Sequence, residues 1–248
     1  MVMAKTDIKN ISKEKLSALL YDWHNLNVLR NQNHDITYFI DQVKQYNSKN
    51  ILVVGAGTGR VSIPLSEISN VTSMDIDKGR LDRLLRKKPG MKVINMDICV
   101  FSSSDKFDLI ILPYNTFLNI ETEKIISCML SVSKVLSEEG MCLLDVSTSF
   151  NFKDKSDWKE FTTAPSTELG LEVTEFQKIE RGPEQLIIYK NYVDSQGRKL
   201  LLTEEKYHYY DKEYLRNSIE SGLLKIKKID IGYGDEYTKH RLIYKCQK

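Results

Sequence analysis

The stretch "NILVVGAGTGRVSIPLSE", Asn50 to Glu67, sets how the chain is read. The apolar run Ile51-Leu52-Val53-Val54 stops at Gly55-Ala56-Gly57-Thr58-Gly59, and an amphipathic segment follows. A buried strand that runs into a glycine loop and then a helix predicts a strand–turn–helix unit. Such a turn exposes backbone N–H groups at a helix N-terminus, which attracts an anion and lets a ligand approach the backbone closely.

Outward from this loop the pattern alternates. Short apolar runs recur at 51–54, 71–76, 92–96, 108–112 and 141–146, with helix-like segments at 60–68, 78–87 and 122–137. Strands alternating with helices imply right-handed crossovers and a parallel sheet, so the expected fold is doubly wound α/β. Residues 12–45 carry helical patterns. After Asp145 three strand-like runs, "LEVTEFQKIE", "EQLIIYKNYVD" and "KLLLTEEKYHYY", are joined by turns at Arg181-Gly182-Pro183 and Asp194-Ser195-Gln196-Gly197. Short turns predict an antiparallel meander. A helix follows, with Asp211 as N-cap and Gly222 as stop, and then two last strands. No Pro- or Gly-rich linker marks a boundary. The chain reads as one domain: 1–49 a helical cap, 50–147 a cofactor-binding core, 168–210 inserted antiparallel strands, and 211–248 a final helix and hairpin.

The composition narrows the function. With 36 Lys and Arg against 34 Asp and Glu in 248 residues, the net charge is +2, too balanced for a surface that coats nucleic acid. No apolar run reaches the roughly 18 residues of a membrane helix. The first residues, "MVMAKTDIKNISKEK", lack the apolar core of a signal peptide, so the expected compartment is the cytoplasm. Cys99, Cys128, Cys142 and Cys246 are scattered, and neither they nor the histidines stand at metal-ligand spacing. They read as reduced, mostly buried thiols, and no metal is expected.

Three ligands compete for the glycine loop. A P-loop needs a Lys after the last glycine, and Arg60 stands there instead of Lys-Ser/Thr. A dinucleotide fingerprint wants a small residue at that place, and Arg60 argues against it. Asp75 ends the second strand in "VTSMDID" and can hold ribose hydroxyls in either a dinucleotide or an S-adenosylmethionine site. The third strand discriminates. "MKVINMDICVF" ends in Asp97. Two successive strands ending in an acid after Gly-x-Gly-x-Gly form an adenosine-binding layout, one acid for the ribose and the other for the adenine amino group. The bland reading of both acids is a strand-end turn residue or a helix N-cap.

These residues resemble the class I S-adenosylmethionine-dependent methyltransferases, in particular bacterial small-molecule enzymes of the glycine/sarcosine and sugar N-methyltransferase type. The matching stretches include "ILVVGAGTGRVSIPLSE", "VTSMDID", "VINMDICVF", "FDLIILPYNTFLNI" and "VLSEEGMCLLDV". The resemblance implies a mostly parallel seven-stranded sheet. It implies that Gly55, Ala56, Gly57 and Gly59 line the methionine part of the cofactor and that Asp75 binds the ribose. Ile76, Met96, Asp97 and Ile98 would frame the adenine, and Leu112, Pro113 and Tyr114 would lie beneath the sulfonium. Tyr21 and Arg30 would come from the N-terminal cap, where Arg30 either pairs with the methionine carboxylate or is an ordinary exposed helix arginine. One position departs from the family. An acid usually stands two residues before the first glycine, where it helps hold the cofactor's amino group. Here it is Val53. Pro64, inside the expected helix, should loosen that helix's first turn.

Methyl transfer is an in-line displacement at an already activated carbon, so the protein needs no nucleophile. It needs alignment, water exclusion and a base only for an acceptor that carries a proton. The expected acceptor is an amine or hydroxyl of a small molecule. Asn115, Tyr114 and His208 are the candidate catalytic residues. Period two puts Tyr207 and Tyr209 on one strand face and His208 and Tyr210 on the other. An imidazole is a base near neutral pH, and an ordinary surface histidine is the competing reading. Tyr233 and Arg241 are further pocket candidates. The turn Leu112-Pro113-Tyr114-Asn115 lacks the second proline and preceding amide of base-methylating enzymes, which argues against nucleic acid. The alternatives are a non-catalytic S-adenosylmethionine-binding or partner-binding protein of the same fold, and an NAD enzyme. The protein is expected to be a monomer or homodimer.

Overall fold

The computed structural model describes residues 8–28, 33–147 and 155–248. The described residues fall into two compact units. One takes 8–28 and 155–207, the other 33–147 and 208–248.

The larger unit is built on a seven-stranded sheet. In chain order its elements are α2 (His34–Gln45), β1 (Asn50–Val54), α3 (Ser62–Leu65), β2 (Asn70–Asp75), α4 (Lys78–Lys87), β3 (Lys92–Asn95), β4 (Phe107–Leu112), α5 (Ile125–Val135), β5 (Leu136–Ser147), α6 (Lys212–Ser221), β10 (Lys225–Ile231) and β11 (Arg241–Gln247). The labels α1 and β6–β9 belong to the other unit. The strand order is β10-β11-β5-β4-β1-β2-β3. β3, β2, β1, β4 and β5 run parallel, and β11 is antiparallel to both β5 and β10. Chain order therefore reverses between β1 and β4. In open α/β sheets ligands sit in the crevice at the carboxyl ends of such a pair. The glycine loop leaves β1 there and the Pro113-Tyr114-Asn115 turn leaves β4 there.

The sequence explains these elements. Ile51, Leu52, Val53 and Val54 are all buried, as expected of a parallel strand covered on both faces. The core beside them holds Phe39, Leu65, Leu84, Ile111, Leu143 and Ile243. α4 starts where Asp77 accepts the Arg80 N–H at 3.0 Å and buries Leu81 and Leu84. Its last turn carries Arg86 and Lys87, the charge a helix C-terminus favours. The helix around Pro64 is a single turn, Ser62–Leu65. Asp211 caps α6 by accepting the Tyr214 N–H at 2.7 Å. Gly222 ends α6, but not by a left-handed turn: its φ is −79° and the positive φ, 64°, falls on Leu223. Gly222 is required by proximity, because a Cβ there would run into Met129 of α5.

The smaller unit holds α1 (Lys13–Val28) and the strands β6 (Lys155–Ser166), β7 (Leu171–Arg181), β8 (Gln185–Asp194) and β9 (Lys199–His208), the last reaching one residue into the larger unit. The sheet order is β6-β7-β8-β9. The expected insertion from residue 168 with three strands is thus a four-stranded sheet, with β6 in front. β6 escaped notice because it is charged and carries Pro165, which an edge strand tolerates. β9 ends at His208, so Tyr209 and Tyr210 lie beyond the strand. Leu20, Trp23, Val173, Tyr192 and Leu201 form this unit's core. The same sheet face carries polar side chains in pairs. His24 Nδ1 meets Glu175 Oε2 at 2.6 Å, Gln177 Nε2 donates to Glu175 Oε1 at 2.7 Å, and Lys190 Nζ donates to Glu205 Oε1 at 2.8 Å.

Candidate functional site

The glycine loop is tied to the next strand by backbone donors, the Ala56 N–H reaching the Met74 carbonyl at 2.9 Å. The Gly57 N–H donates to Asp75 Oδ2 at 2.6 Å, and the Asp77 N–H donates to Oδ1 at 2.9 Å. Gly55, Gly57 and Gly59 have φ of 68°, 55° and 92°, the left-handed region glycine occupies without strain. At Gly55 a Cβ would collide with Thr116, and at Gly59 it would lie 2.9 Å from Ile63 and Leu84. At these glycines the loop brings bare backbone against a ligand.

Asp75 is buried, and burial raises its pKa above the ordinary value. The N–H bonds from Asp77 and Gly57 pull the other way, as does Arg80. One backbone bond per oxygen leaves acceptor capacity on each for hydroxyl donors. Beyond Asp75, Ile76 is 72% exposed, and Met96 at the end of β3 is 44% exposed. Asn95 fixes these strand ends together, its Nδ2 donating to the carbonyls of Asp75 and Ile76 at 3.0 and 2.9 Å. Two apolar side chains left in water beside a buried carboxylate suit a flat, apolar-faced ligand joined to a polyol. The loop, Asp75, Ile76 and Met96 thus fit an adenosine group. Asp97 caps the short 3₁₀ turn Ile98–Val100 by accepting the Cys99 N–H at 2.9 Å. Ile98 is buried, as are Leu112 and Pro113.

The end of β4 is the second half of the site. Tyr114 and Asn115 have consecutive φ of 50° and 66°. Non-glycine residues reach that region at about 1–2 kcal/mol each, so something must hold them. Asp145, at the end of β5, does so. Its Oδ2 accepts the Tyr114 N–H at 2.7 Å and its carbonyl accepts the Asn115 N–H at 3.1 Å. Arg241 Nε donates to Asp145 Oδ1 at 2.7 Å, and the Tyr233 hydroxyl donates to Oδ2 at 2.5 Å. Asn115 Oδ1 accepts from the Ser147 N–H at 2.8 Å and from an Arg241 terminal nitrogen at 2.9 Å. Its Nδ2 finds no partner among the described residues. Burial alone would lower the Arg241 pKa, but the Asp145 carboxylate outweighs it and keeps the guanidinium charged. Burial and then Asp145 push the Tyr233 phenol well up, so it stays a donor.

The Tyr114 ring, 43% exposed, lies under two guanidiniums, Arg60 and Arg241, each 5.1 Å from its centroid. Arg60 is itself held by Asp35 of α2, its terminal nitrogens donating at 3.0 and 2.5 Å. After Asn115 the chain makes a 3₁₀ turn, Thr116–Asn119. Phe117 in that turn packs edge-on against Tyr210, with centroids 6.2 Å apart. His208 stacks on Tyr210 at 6.1 Å, and Tyr210 on Tyr214 at 5.2 Å. His208 is thus joined to the turn after β4 through a ladder of rings.

The expected site residues are distributed as follows. Gly55, Ala56, Gly57, Gly59, Asp75, Ile76, Met96, Asp97, Ile98, Leu112, Pro113, Tyr114, Asn115 and His208 all lie in the larger unit, at the strand ends or in the segment that precedes α6. Tyr21 is half-buried in α1 of the smaller unit. Arg30 lies outside the described residues. Asp145, Asp35 and Asn95 were missed. The signal for Asp145 was present: it closes the apolar run "CLLDV" as Asp75 closes "VTSMD". Asp35 sits in the polar stretch "NQNHD" and Asn95 lies inside the run "KVINM", so neither stood out. All four cysteines are free and buried. Among the described residues no group of three or more His, Cys, Asp or Glu side chains could hold a metal. Among the described residues no helix is long and apolar enough to cross a membrane.

Residues 51–140 match a family model described as a methyltransferase domain. Solved structures share the fold over most of the chain at low identity. An S-adenosylmethionine-dependent methyltransferase from Clostridium acetobutylicum superposes with a TM-score of 0.75 and 17% identity, covering 92% of this chain and 97% of that one. A sugar N-methyltransferase from Streptoalloteichus gives 0.74 at 13% identity, covering 100% and 99%. The amino pentose methyltransferase of calicheamicin biosynthesis from Micromonospora echinaspora, bound to S-adenosylmethionine, gives 0.72 at 13%, covering 88% and 93%. No curated protein matches the chain by sequence. The fold is the Rossmann-like methyltransferase fold, and residues 51–140 match the methyltransferase-domain model.

Proposed function

We propose that this chain is a methyltransferase that moves a methyl group from S-adenosylmethionine to an amine or hydroxyl of a small-molecule metabolite. The observation that supports it most is the Gly57–Asp75 contact at 2.6 Å, flanked by exposed Ile76 and Met96, at the reversal of the sheet. The sugar N-methyltransferase of the same fold favours a nitrogen acceptor.

S-adenosylmethionine, when bound, supplies a methyl group activated by a positively charged sulfur. The chain's own residues bind and orient. The bare backbone of Gly55, Ala56, Gly57 and Gly59 lets the methionine part approach. Asp75 accepts from ribose hydroxyls, and Ile76, Met96, Asp97 and Ile98 frame the adenine. Leu112, Pro113 and Tyr114 would hold the methyl-donor end of the cofactor. Asn115 offers its uncommitted Nδ2 to the acceptor, and His208 takes the proton that an amine or hydroxyl gives up. Tyr21 and Arg30, from the N-terminal segment, are the further cofactor candidates.

A second reading is a cofactor-binding protein without catalysis. The observation favouring it is Val53, wholly buried in the apolar core where the family has an acid.

The test is calorimetric titration with S-adenosylmethionine, S-adenosylhomocysteine and NAD, with Asp75→Ala beside the natural chain. Micromolar binding of both adenosyl ligands, lost in Asp75→Ala, supports the reading. Binding of neither, or of NAD alone, removes it. An acceptor screen that scores S-adenosylhomocysteine release then separates enzyme from binder.

A further inference from the structure

We infer that Asp145, Arg241 and Tyr233 are positioning residues, which hold the Tyr114–Asn115 turn at the place where a sulfonium methyl is met. The inference rests on the methyltransferase reading above.

All three lie beyond residues 51–140, so the matched methyltransferase domain does not account for them. They come from β5, from the loop after β10 and from β11. They converge on a turn whose two left-handed residues would relax if left alone. Asp145 accepts from the Tyr114 N–H, the Tyr233 hydroxyl and the Arg241 guanidinium, and is itself wholly buried. Arg241 spans both sides of the turn. It binds Asp145, it donates to Asn115 Oδ1, and it lies over the Tyr114 ring. The outcome is an exposed aromatic ring with a fixed backbone and a fixed side chain. A surface tyrosine needs no such apparatus. A tyrosine that must present one geometry to a ligand does.

The methyl and its positive charge are present in S-adenosylmethionine and absent from S-adenosylhomocysteine. Comparing the two ligands therefore reads the turn without any acceptor. Loosening the turn should weaken the methyl-bearing ligand and spare the other. The variants must keep the site's charge, since a charge change would shift the cationic ligand from a distance. Arg241→Lys keeps the charge and loses the planar fork. Tyr233→Phe removes one hydroxyl.

The experiment is calorimetry of the full chain and both variants with each ligand, with thermal melts to confirm folding. The expected result is a roughly tenfold weaker Kd for S-adenosylmethionine, with S-adenosylhomocysteine within about twofold. Equal weakening of both ligands, or no change in either, in a folded variant overturns the inference and leaves the cofactor reading standing. If Arg241→Lys does not fold, Tyr233→Phe decides by the same ratio. If the natural chain binds neither ligand, the methyltransferase reading falls and the inference falls with it.

Discussion

The backbone N–H of Gly57 donates to Asp75 Oδ2 at 2.6 Å, which ties the glycine loop to the carboxylate at the end of β2. Burial raises the Asp75 pKa, and its backbone donors only partly offset this. The sign follows directly. A raised pKa means that the folded chain holds this proton more tightly than the unfolded chain. Ionising Asp75 therefore costs stability as pH rises through the ordinary Asp range and on through the raised value. Ribose binding wants the ionised form as acceptor. Affinity for S-adenosylhomocysteine should fall on acidification at a pH still above the ordinary Asp value. Asp75→Asn should bind about a hundredfold more weakly near neutral pH and lose that pH dependence. Equal affinities for the two proteins would remove Asp75 from the site.

The glycines separate space from function. Gly59 has φ 92°, and a Cβ there lies 2.9 Å from Ile63 and Leu84. Gly222 lies against Met129, well outside the loop. Either Gly→Ala change should cost about 1–3 kcal/mol in denaturant unfolding. Gly59→Ala should also weaken S-adenosylhomocysteine. Gly222→Ala should leave the affinity of the folded fraction unchanged. Loss of binding in Gly222→Ala alone would contradict this division.

The parallel half of the sheet was legible because both its faces are covered. Strands such as "ILVV" and "LIIL" then read as unbroken apolar runs, and the residues that stop the parallel strands, Gly55, Asp75, Asp97 and Pro113, mark the ligand edge. β6 was not legible, since a charged edge strand with a proline follows no burial pattern. The cofactor half of the site follows from local spacing. The other half does not. Asp35 and Arg60 are 25 residues apart, and Asp145 and Arg241 are 96 apart. Such pairs are made by tertiary packing, which a single sequence does not display. Arg60 was visible only as a departure from a dinucleotide loop, whereas its guanidinium bridges Asp35 and Tyr114.

Arg60 and Asp35 should behave as a coupled pair. Asp35 is 4% exposed, so Arg60→Ala leaves a buried carboxylate without its partner. We expect Arg60→Ala to cost about 2 kcal/mol or more, and Asp35→Asn to cost less when made on top of it. A double-mutant cycle by urea unfolding checks this. Strict additivity would mean that the pair contributes nothing beyond its two separate side chains.

Asp230 should support the acid side of stability. Burial alone would raise its pKa, but hydrogen bonds from Lys228, Lys245 and Tyr38 outweigh burial and bring it to about 2. A lowered pKa contributes stability above the unfolded value of about 4, and loses it as pH falls toward the folded value. The melting advantage of the natural chain over Asp230→Asn should be full at neutral pH and shrink between about pH 4 and 2. An advantage that stays constant across this window would show that Asp230 acts only through neutral hydrogen bonds.

The thiols give a test of core integrity. Cys128, Cys142 and Cys246 are buried, and burial holds the Cys142 and Cys246 pKa values up, Cys246 at about 12. For Cys128 a hydrogen bond with Cys99 is the larger cause, ahead of burial. The thiolate is the reactive form, so raised and enclosed thiols are slow. The native chain should react with an aromatic disulfide reagent over hours at neutral pH, and the four cysteines should react within minutes in denaturant. Cys99, 8% exposed, should be the first to react in the native chain. It follows Asp97 by two residues and donates its N–H to that carboxylate at 2.9 Å. Saturating S-adenosylhomocysteine should therefore slow its labelling further. Labelling that is fast in the native chain, or unchanged by the ligand, would count against the packing around the 3₁₀ turn Ile98–Val100 and against a bound adenine beside it.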